Sequence, residues 1–218
     1  MDWVVKIGGS LFPQKAIELV NALKGTNCLI INGGGDFANL VREYDWEIGF
    51  SNHITHEVAI DSMDIIAKLL NDKFEFTKIV YDLDEVKKIA NLNKIPILAC
   101  SKILKDLDPF EHSWNVSSDS IAAYVSNLLE AKLLIATNVD GIYTRKPTHD
   151  MSNFIDEIDA KELLNFDETS VDLMLAELLS KFGSNCFVVN GNYPERVLSI
   201  INNNIDAYDF QYTYIRGD

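Results

Sequence analysis

Short, continuous apolar runs recur along the chain, and stretches with helical periodicity separate several of them. The runs predict strands at 3–7, 28–32, 78–82, 95–99, 133–137 and 186–190. The periodic stretches predict helices that include 16–23, 37–44, 57–70, 119–129 and 194–201, and the polar segment 144–154 predicts a loop. A strand that is apolar throughout is typical of a parallel sheet buried on both faces. The pattern therefore predicts an α/β fold with a mainly parallel central sheet.

Charge limits the partners that such a fold could bind. Among the 218 residues, Lys and Arg number 19 against 33 Asp and Glu, for a net charge of −14. Nucleic acids and anionic membranes both attract clustered positive charge, so this balance disfavours them as main partners. A small anion held locally remains compatible with it.

The cysteines and the N-terminal residues indicate where in the cell the protein is expected. Cys28, Cys100 and Cys186 lie apart in apolar segments without disulfide or metal-ligand spacing, which predicts reduced thiols in the core. The opening residues MDWVVK lack the basic flank and long apolar run of a signal peptide, and no apolar run is long enough to span a membrane. We expect a soluble, cytoplasmic protein.

A lysine interrupts the first predicted strand, in the segment VVKIGGSLF at 4–12. An ammonium group is costly to bury unless an anion meets it. Lys6 is followed at once by Gly8 and Gly9, which allow a backbone to approach a ligand closely, and then by Ser10. The combination indicates an anion site at the end of this strand.

A second strand also runs into glycines, in INGGGDF at 31–37. Ligands of open α/β sheets bind beyond the carboxyl ends of the strands, where helix N-termini offer unpaired N–H groups. Neither segment is a Walker A loop or a GxGxxG motif. Each glycine run alone would be a plain tight turn, but two with the same placement favour one shared ligand.

Two further segments are polar, and each lies next to a predicted helix or strand. The stretch SWNVSSDSIAAY at 113–124 enters a helix, where Ser117 or Ser118 could be an N-cap and Asp119 could favour the first turn. The stretch NVDGIYTRKP at 138–147 follows a strand and could be a plain turn. The order of all four segments along the chain argues against four independent structural explanations.

That order, together with the wording of each segment, resembles the amino acid kinase family from residue 4 to about residue 215. The resemblance implies a three-layer αβα sandwich with a mainly parallel sheet. It also implies one family domain over 1–218, divided into an N-terminal acceptor lobe of about 1–131 and a C-terminal nucleotide lobe of about 132–218.

The family's motifs imply roles for individual residues of this chain. They place catalytic groups at Lys6, Asp119 and Lys146, with Asp119 orienting the two lysines. They place the nucleotide on Gly8, Gly9, Ser10, Asn138, Asp140, Gly141, Tyr143 and Lys146. They place the acceptor on Gly33, Gly34, Gly35 and Asn115. Lys15 and Arg42 are candidates for an acceptor phosphate, although such residues are more often solvated surface charges.

The resemblance implies ATP and Mg²⁺ as cofactors, without a protein metal site, and a homo-oligomer acting on a small phosphorylated molecule. The acceptor motif reads GGGDFAN, whereas isopentenyl phosphate kinases resemble GGGSFGH and uridylate kinases typically read GGGNIFRG. The segment 113–143 resembles the branch that converts an aminomethylfuran phosphate to its diphosphate in methanofuran biosynthesis. Alternatives are another phosphate or carboxylate acceptor, such as isopentenyl phosphate, UMP or an amino acid, and oxyanion storage or sensing without turnover.

A few other residues carry weaker expectations. His53 and His56 lack the spacing of a metal-binding pair and predict a capped, exposed helix start. Trp114 predicts packing, although it could also line a pocket for a furan ring. Asp36 and Asp61 are candidate partners for a cationic amine on the acceptor.

Overall fold

A computed structural model describes residues 1–144, 153–166, 169–207 and 209–217 of the chain. Its strands are β1 (Trp3–Ile7), β2 (Cys28–Asn32), β3 (Thr77–Val80), β4 (Ile95–Leu98), β5 (Lys132–Thr137), β6 (Ile142–Tyr143), β7 (Phe154–Ile155), β8 (Glu157–Asp159), β9 (Cys186–Asn190) and β10 (Tyr212–Arg216). Eight of them form the main sheet in the order β3-β4-β2-β1-β5-β9-β10-β8, and β6 and β7 form a separate two-stranded sheet.

The sheet is mainly parallel, which confirms the predicted fold class. β3, β4, β2, β1, β5 and β9 run parallel to one another, whereas β10 pairs antiparallel with β9. All six predicted strands are present, each within two residues of its predicted bounds. The hairpin of β6 and β7 frames most of the segment predicted as a loop, and residues 145–152 of that segment lie outside the described residues.

Helices cover both faces of the sheet. They are α1 (Gln14–Ala22), α2 (Gly35–Ile48), α3 (Asn52–Asp72), α4 (Leu83–Asn91), α5 (Ser101–Leu107), α6 (Ser118–Leu129), α7 (Ala160–Leu163), α8 (Leu173–Phe182) and α9 (Pro194–Ile201). Successive strand residues point to opposite faces, so Val4 packs into one core with α6 and α8 while Val5 packs into another with α1 and α9. Two cores separated by one sheet make the three-layer αβα sandwich.

The cysteines are buried and unpaired, as predicted. Burial raises the pKa of the Cys28 thiol to about 11, and burial also raises the pKa values of Cys100 and Cys186. Thiols with such pKa values stay protonated and unreactive at neutral pH. Separately, no helix within the described residues combines the length and the apolar character needed to cross a membrane.

The carboxyl ends of the central strands bring the predicted glycines together. Gly8 donates from its backbone N–H to Ala136 at 2.8 Å, and Gly33 donates to Ile7 at 2.8 Å. These bonds continue the β1–β5 and β1–β2 ladders into the two turns. A Cβ atom on Gly9 would lie 2.5 Å from the backbone nitrogen of Gly35, so the turns touch backbone to backbone and glycine is required there.

Candidate active site

Lys6 and Asp119 form a buried ion pair at this end of the sheet. Lys6 lies on the central strand β1 and Asp119 lies in the first turn of α6, and their side chains meet at 2.6 Å between Nζ and Oδ1. The two residues are 7% and 6% exposed. Beyond the ion pair, Asp119 Oδ1 accepts no hydrogen bond of regular geometry from the described residues. A buried pair stabilises a fold no better than apolar residues of similar volume, so stability alone does not explain it.

Asp172 holds the N-terminus of α6 in place, a role that the sequence analysis missed. Its carboxylate accepts hydrogen bonds from the hydroxyls of Ser117 and Ser120, and also from their backbone N–H groups. The same carboxylate caps α8 by accepting from the N–H of Leu175 at 2.6 Å. Burial and the nearby charge of Asp119 raise the pKa of Asp172 above its usual value. Asp172 therefore positions the helix that carries Asp119.

The two glycine turns present backbone N–H groups to the same space. Gly9 begins a 3₁₀ helix at Gly9–Leu11, and no acceptor among the described residues meets the N–H groups of Gly9 or Ser10. Gly34 is the N-cap of α2, and because glycine has no side chain it cannot cap the first N–H groups of this helix. Unpaired N–H groups at a helix N-terminus attract anions. Both turns can therefore contribute donors to one anionic ligand.

A cavity of about 300 Å³ opens beside the second glycine turn. Its lining includes the glycines of that turn, one face of α3 and the polar start of α6, together with one arginine and one tryptophan. The lining residues include Gly33, Gly34, Gly35, Asp36, Arg42, His56, Met63, Ser113, Trp114 and Ser118. The cavity joins the second glycine turn to Gly9 and Ser10 of the first turn, which also line it.

Arg42 and Trp114 form one wall of the cavity. The guanidinium carbon of Arg42 lies 4.7 Å from the centroid of the Trp114 ring, and the indole N–H donates to Asp45 at 2.8 Å. No carboxylate among the described residues forms an ion pair with Arg42. Stacking covers one face of the guanidinium and leaves its N–H edge available to an anion. Trp114 thus lines the pocket in addition to packing.

Three other candidate acceptor residues lie outside this cavity lining. Lys15 is on α1 and pairs with Glu18 at 2.8 Å. The exposed Asn115 side chain donates to Glu111 at 3.2 Å. Asp61 lies 3.4 Å from the ammonium of Lys105, whereas Asp36 does line the cavity.

The predicted nucleotide turn is held by residues from β9, α9 and β10. Asp140 Oδ1 accepts hydrogen bonds from Asn190 at 3.0 Å and from Arg196 at 2.7 Å. Gly141 packs so closely that a Cβ atom would lie 2.4 Å from Thr213 Oγ1. Asn190 and Arg196 were missed from the sequence because they lie about 50 residues beyond the turn.

Of the three remaining nucleotide-side candidates, the structure describes Tyr143 and Asn138. Tyr143 packs edge-on against Phe154 at 5.2 Å between ring centroids, and burial together with the charge of Asp140 raises its pKa. Asn138 is exposed at the carboxyl end of β5. Lys146, the second predicted catalytic lysine, lies outside the described residues.

Comparison with known proteins supplies the family. The model of the amino acid kinase family matches residues 1–190. The chain belongs to the amino acid kinase family. Its resemblance to that family, inferred from the four segments, is confirmed.

Individual relatives in this family are kinases by name. The chain is 40% identical over 212 residues to the [5-(aminomethyl)furan-3-yl]methyl phosphate kinase of Methanocaldococcus jannaschii, a match that covers 94% of this chain and 95% of the relative. It is 27% identical over 226 residues to the uridylate kinase of the same organism, covering 92% and 95%. The fold matches a solved uridylate kinase from Archaeoglobus fulgidus with a TM-score of 0.72 and 20% identity, over 99% of this chain and 100% of that one.

Substitution of Asp172 tests its link to two helices. We expect Asp172→Ala to lower the free energy of unfolding by about 2–4 kcal/mol, because it removes the cap of α8 and leaves the Ser117 hydroxyl without its acceptor. Asp82 caps α4 through one bond to Glu85 N, so the control Asp82→Ala should cost only about 1 kcal/mol. Urea denaturation of both variants measures the difference, and equal losses would contradict the double role.

The stability that is lost in Asp172→Ala should also change with pH in a defined direction. The folded-state pKa of Asp172 is raised above its unfolded value, so its contribution to stability falls as pH rises from the unfolded to the folded pKa. We therefore expect the stability difference between wild type and Asp172→Ala to be larger near the unfolded pKa of about 4 than at pH 7. A difference that grows with pH would contradict this assignment.

Proposed function

We propose that this chain is an ATP-dependent kinase that transfers a phosphoryl group to [5-(aminomethyl)furan-3-yl]methyl phosphate and forms the diphosphate, a step of methanofuran biosynthesis. The observation that carries the proposal of phosphoryl transfer is the buried Lys6–Asp119 pair beside two touching glycine turns. The acceptor is supported by the 40% identity to the M. jannaschii kinase named for it.

The arrangement suits phosphoryl transfer because that reaction needs positioning and charge stabilisation more than covalent help from the protein. Lys6 would contact the transferring group, whose negative charge is spread over its oxygens. The N–H groups of Gly9 and Ser10 would bind nucleotide phosphates, and the acceptor phosphate would lie beside Gly33–Gly35. Asp119 would hold the Lys6 ammonium in place, aimed at the space between the two glycine turns.

Mg²⁺ fits this site as an ion brought in by the nucleotide. Within the described residues, no group of three or more His, Cys, Asp or Glu side chains is arranged to hold a metal. ATP phosphate oxygens would therefore be its main ligands. When bound, the ion would neutralise negative charge on the nucleotide phosphates.

Several roles remain proposals on the family pattern. We assign the adenine and ribose to Asn138, Asp140, Gly141 and Tyr143, and further nucleotide-phosphate contacts to Gly8 and Lys146. We assign the acceptor's phosphate to Arg42 and Lys15, and a further contact with the acceptor to Asn115. Lys146 would supply a second positive charge to the transferring group. The two-lobe division near residue 131, the homo-oligomer and the cytoplasmic location also stay predictions.

A panel of acceptors tests the proposed substrate. Purified protein with ATP and Mg²⁺ should phosphorylate the aminomethylfuran phosphate with a kcat/KM well above that for UMP, isopentenyl phosphate or acetylglutamate. UMP is the leading alternative because uridylate kinases match both the sequence and the fold. Preferential turnover of UMP would overturn the substrate but not the kinase. Tight ATP binding without phosphorylation of any acceptor would favour sensing or storage.

Removing the Lys6 ammonium tests the proposed chemistry. We expect Lys6→Met to lower kcat by about 10²-fold or more, because a contact to developing charge is lost. The variant also leaves the buried Asp119 carboxylate without its ion-pair partner, which should cost about 3–5 kcal/mol of stability. The double variant Lys6→Met/Asp119→Asn should recover part of that stability without recovering the rate. A kcat near the wild-type value in either folded variant would remove Lys6 from the mechanism.

Neutralising Asp119 separates an orienting role from a general base. The acceptor phosphate has a second pKa of about 6 and is largely ionised at neutral pH, so little proton abstraction is needed. Asp119→Asn should therefore lower kcat by the same factor at every pH, and the variant should still bind ATP. If a carboxylate ionisation in the wild-type pH–rate profile disappears in the variant, Asp119 is a general base instead.

A further inference from the structure

Three of the chain's four histidines form a cluster beside the cavity. The ring of His112 lies 4.9 Å from the ring of His53 and 4.9 Å from that of His56, measured between centroids. His112 Nε2 lies 2.8 Å from Asp108, and its Nδ1 lies 3.1 Å from His53 Nδ1. A contact between two ring nitrogens needs one donor and one acceptor, so both rings cannot be protonated together.

Of these three rings, His56 is the one that lines the cavity. The backbone carbonyl of Ser113 lies close enough to one of its ring nitrogens to favour a proton there. No hydrogen-bond partner among the described residues meets its second nitrogen. The sequence pattern predicted an exposed helix start here, and although Ser51 does cap α3, His56 is only partly exposed. A neutral imidazole therefore offers an unused acceptor beside the cavity.

The position of His56 along α3 places it at the outer end of the cavity. Met63 marks the inner end, because its carbonyl accepts a hydrogen bond from Asn32, the residue before Gly33, at 2.8 Å. His56 lies seven residues before Met63 on the same helix face, which corresponds to roughly 10 Å along the axis. A ligand with its phosphate beside Gly33 would extend toward His56.

The charges around His56 favour a neutral ring. Burial and the neighbouring His112 are the main causes that lower its pKa; His53 lowers it further, while Asp108 raises it. Glu57, which follows His56 on α3, lies 4.0 Å from His53 and 3.9 Å from Lys105. Arg42 and Asp36 supply one charge of each sign to the same cavity.

We propose that His56 recognises the primary amine of the acceptor, by accepting a hydrogen bond from the ammonium group through its free ring nitrogen. The inference rests on the proposed function, because phosphoryl transfer at the glycine turns is what directs the acceptor's other end outward. An ammonium donates three hydrogen bonds and suits a neutral imidazole, whereas a protonated imidazole would repel it. His56 is thus a specificity-determining residue.

Two acceptors that differ in one group test this role. The probes are the aminomethylfuran phosphate and its methyl counterpart, in which a hydrogen atom replaces the amine and no donor remains. We expect wild type to prefer the amine, and His56→Leu to lower kcat/KM for the amine by about 10- to 100-fold while changing that for the methyl analogue by less than about 3-fold. His56→Gln, which keeps an acceptor, should recover part of the preference. The wild-type preference should also weaken at acidic pH.

The matched control is His53→Leu, from the same cluster but outside the cavity lining. It should leave the ratio of the two kcat/KM values unchanged. Equal losses on both probes in His56→Leu, or an equal loss of preference in His53→Leu, would overturn the role of His56 in amine recognition. If wild type phosphorylates neither probe, the proposed function fails, and that outcome is distinct because it precedes any comparison of variants.

Discussion

The Lys6–Asp119 ion pair is the interaction on which the proposed site depends. Burying an ammonium and a carboxylate costs several kcal/mol per ion unless each is compensated. The central strand β1 fixes the lysine, and the first turn of α6 fixes the aspartate near the positive end of the helix. The pair therefore marks a point at which the fold keeps charge in its interior, directly behind the turns where anions can bind.

The surroundings of the pair are rigid for identifiable reasons. Gly9 and Gly35 touch through their backbones, so the two turns cannot separate without losing that contact. Asp172 joins the starts of α6 and α8, although its own carboxylate is buried and near Asp119. Positioning is the main contribution that a protein makes to phosphoryl transfer, and these contacts supply it before any ligand arrives.

The sequence predicted the structure best where a residue pattern has a single physical explanation. Continuous apolar runs predicted the six parallel strands, because a short run that is apolar throughout is typical of a strand buried on both faces. Glycines after strands predicted the turns, because only glycine allows two backbones to approach so closely. β8 and β10 were missed: β8 is short, and β10 alternates between buried and partly exposed positions. Asp172 and His56 were missed as site residues because tertiary folding brings them there from segments without a local motif. Conversely, Lys15 followed a glycine turn yet pairs with Glu18 outside the cavity lining.

A crystal structure of the protein with ADP, Mg²⁺, the acceptor phosphate and a metal fluoride would locate the transferring group. The fluoride mimics the phosphoryl group during its transfer from donor to acceptor. We predict that it lies within hydrogen-bond distance of Lys6 Nζ, between the Gly8–Ser10 turn and Gly33–Gly35. A fluoride complex bound away from Lys6, with the ion pair to Asp119 undisturbed and remote from it, would show that Lys6 takes no part in the transfer.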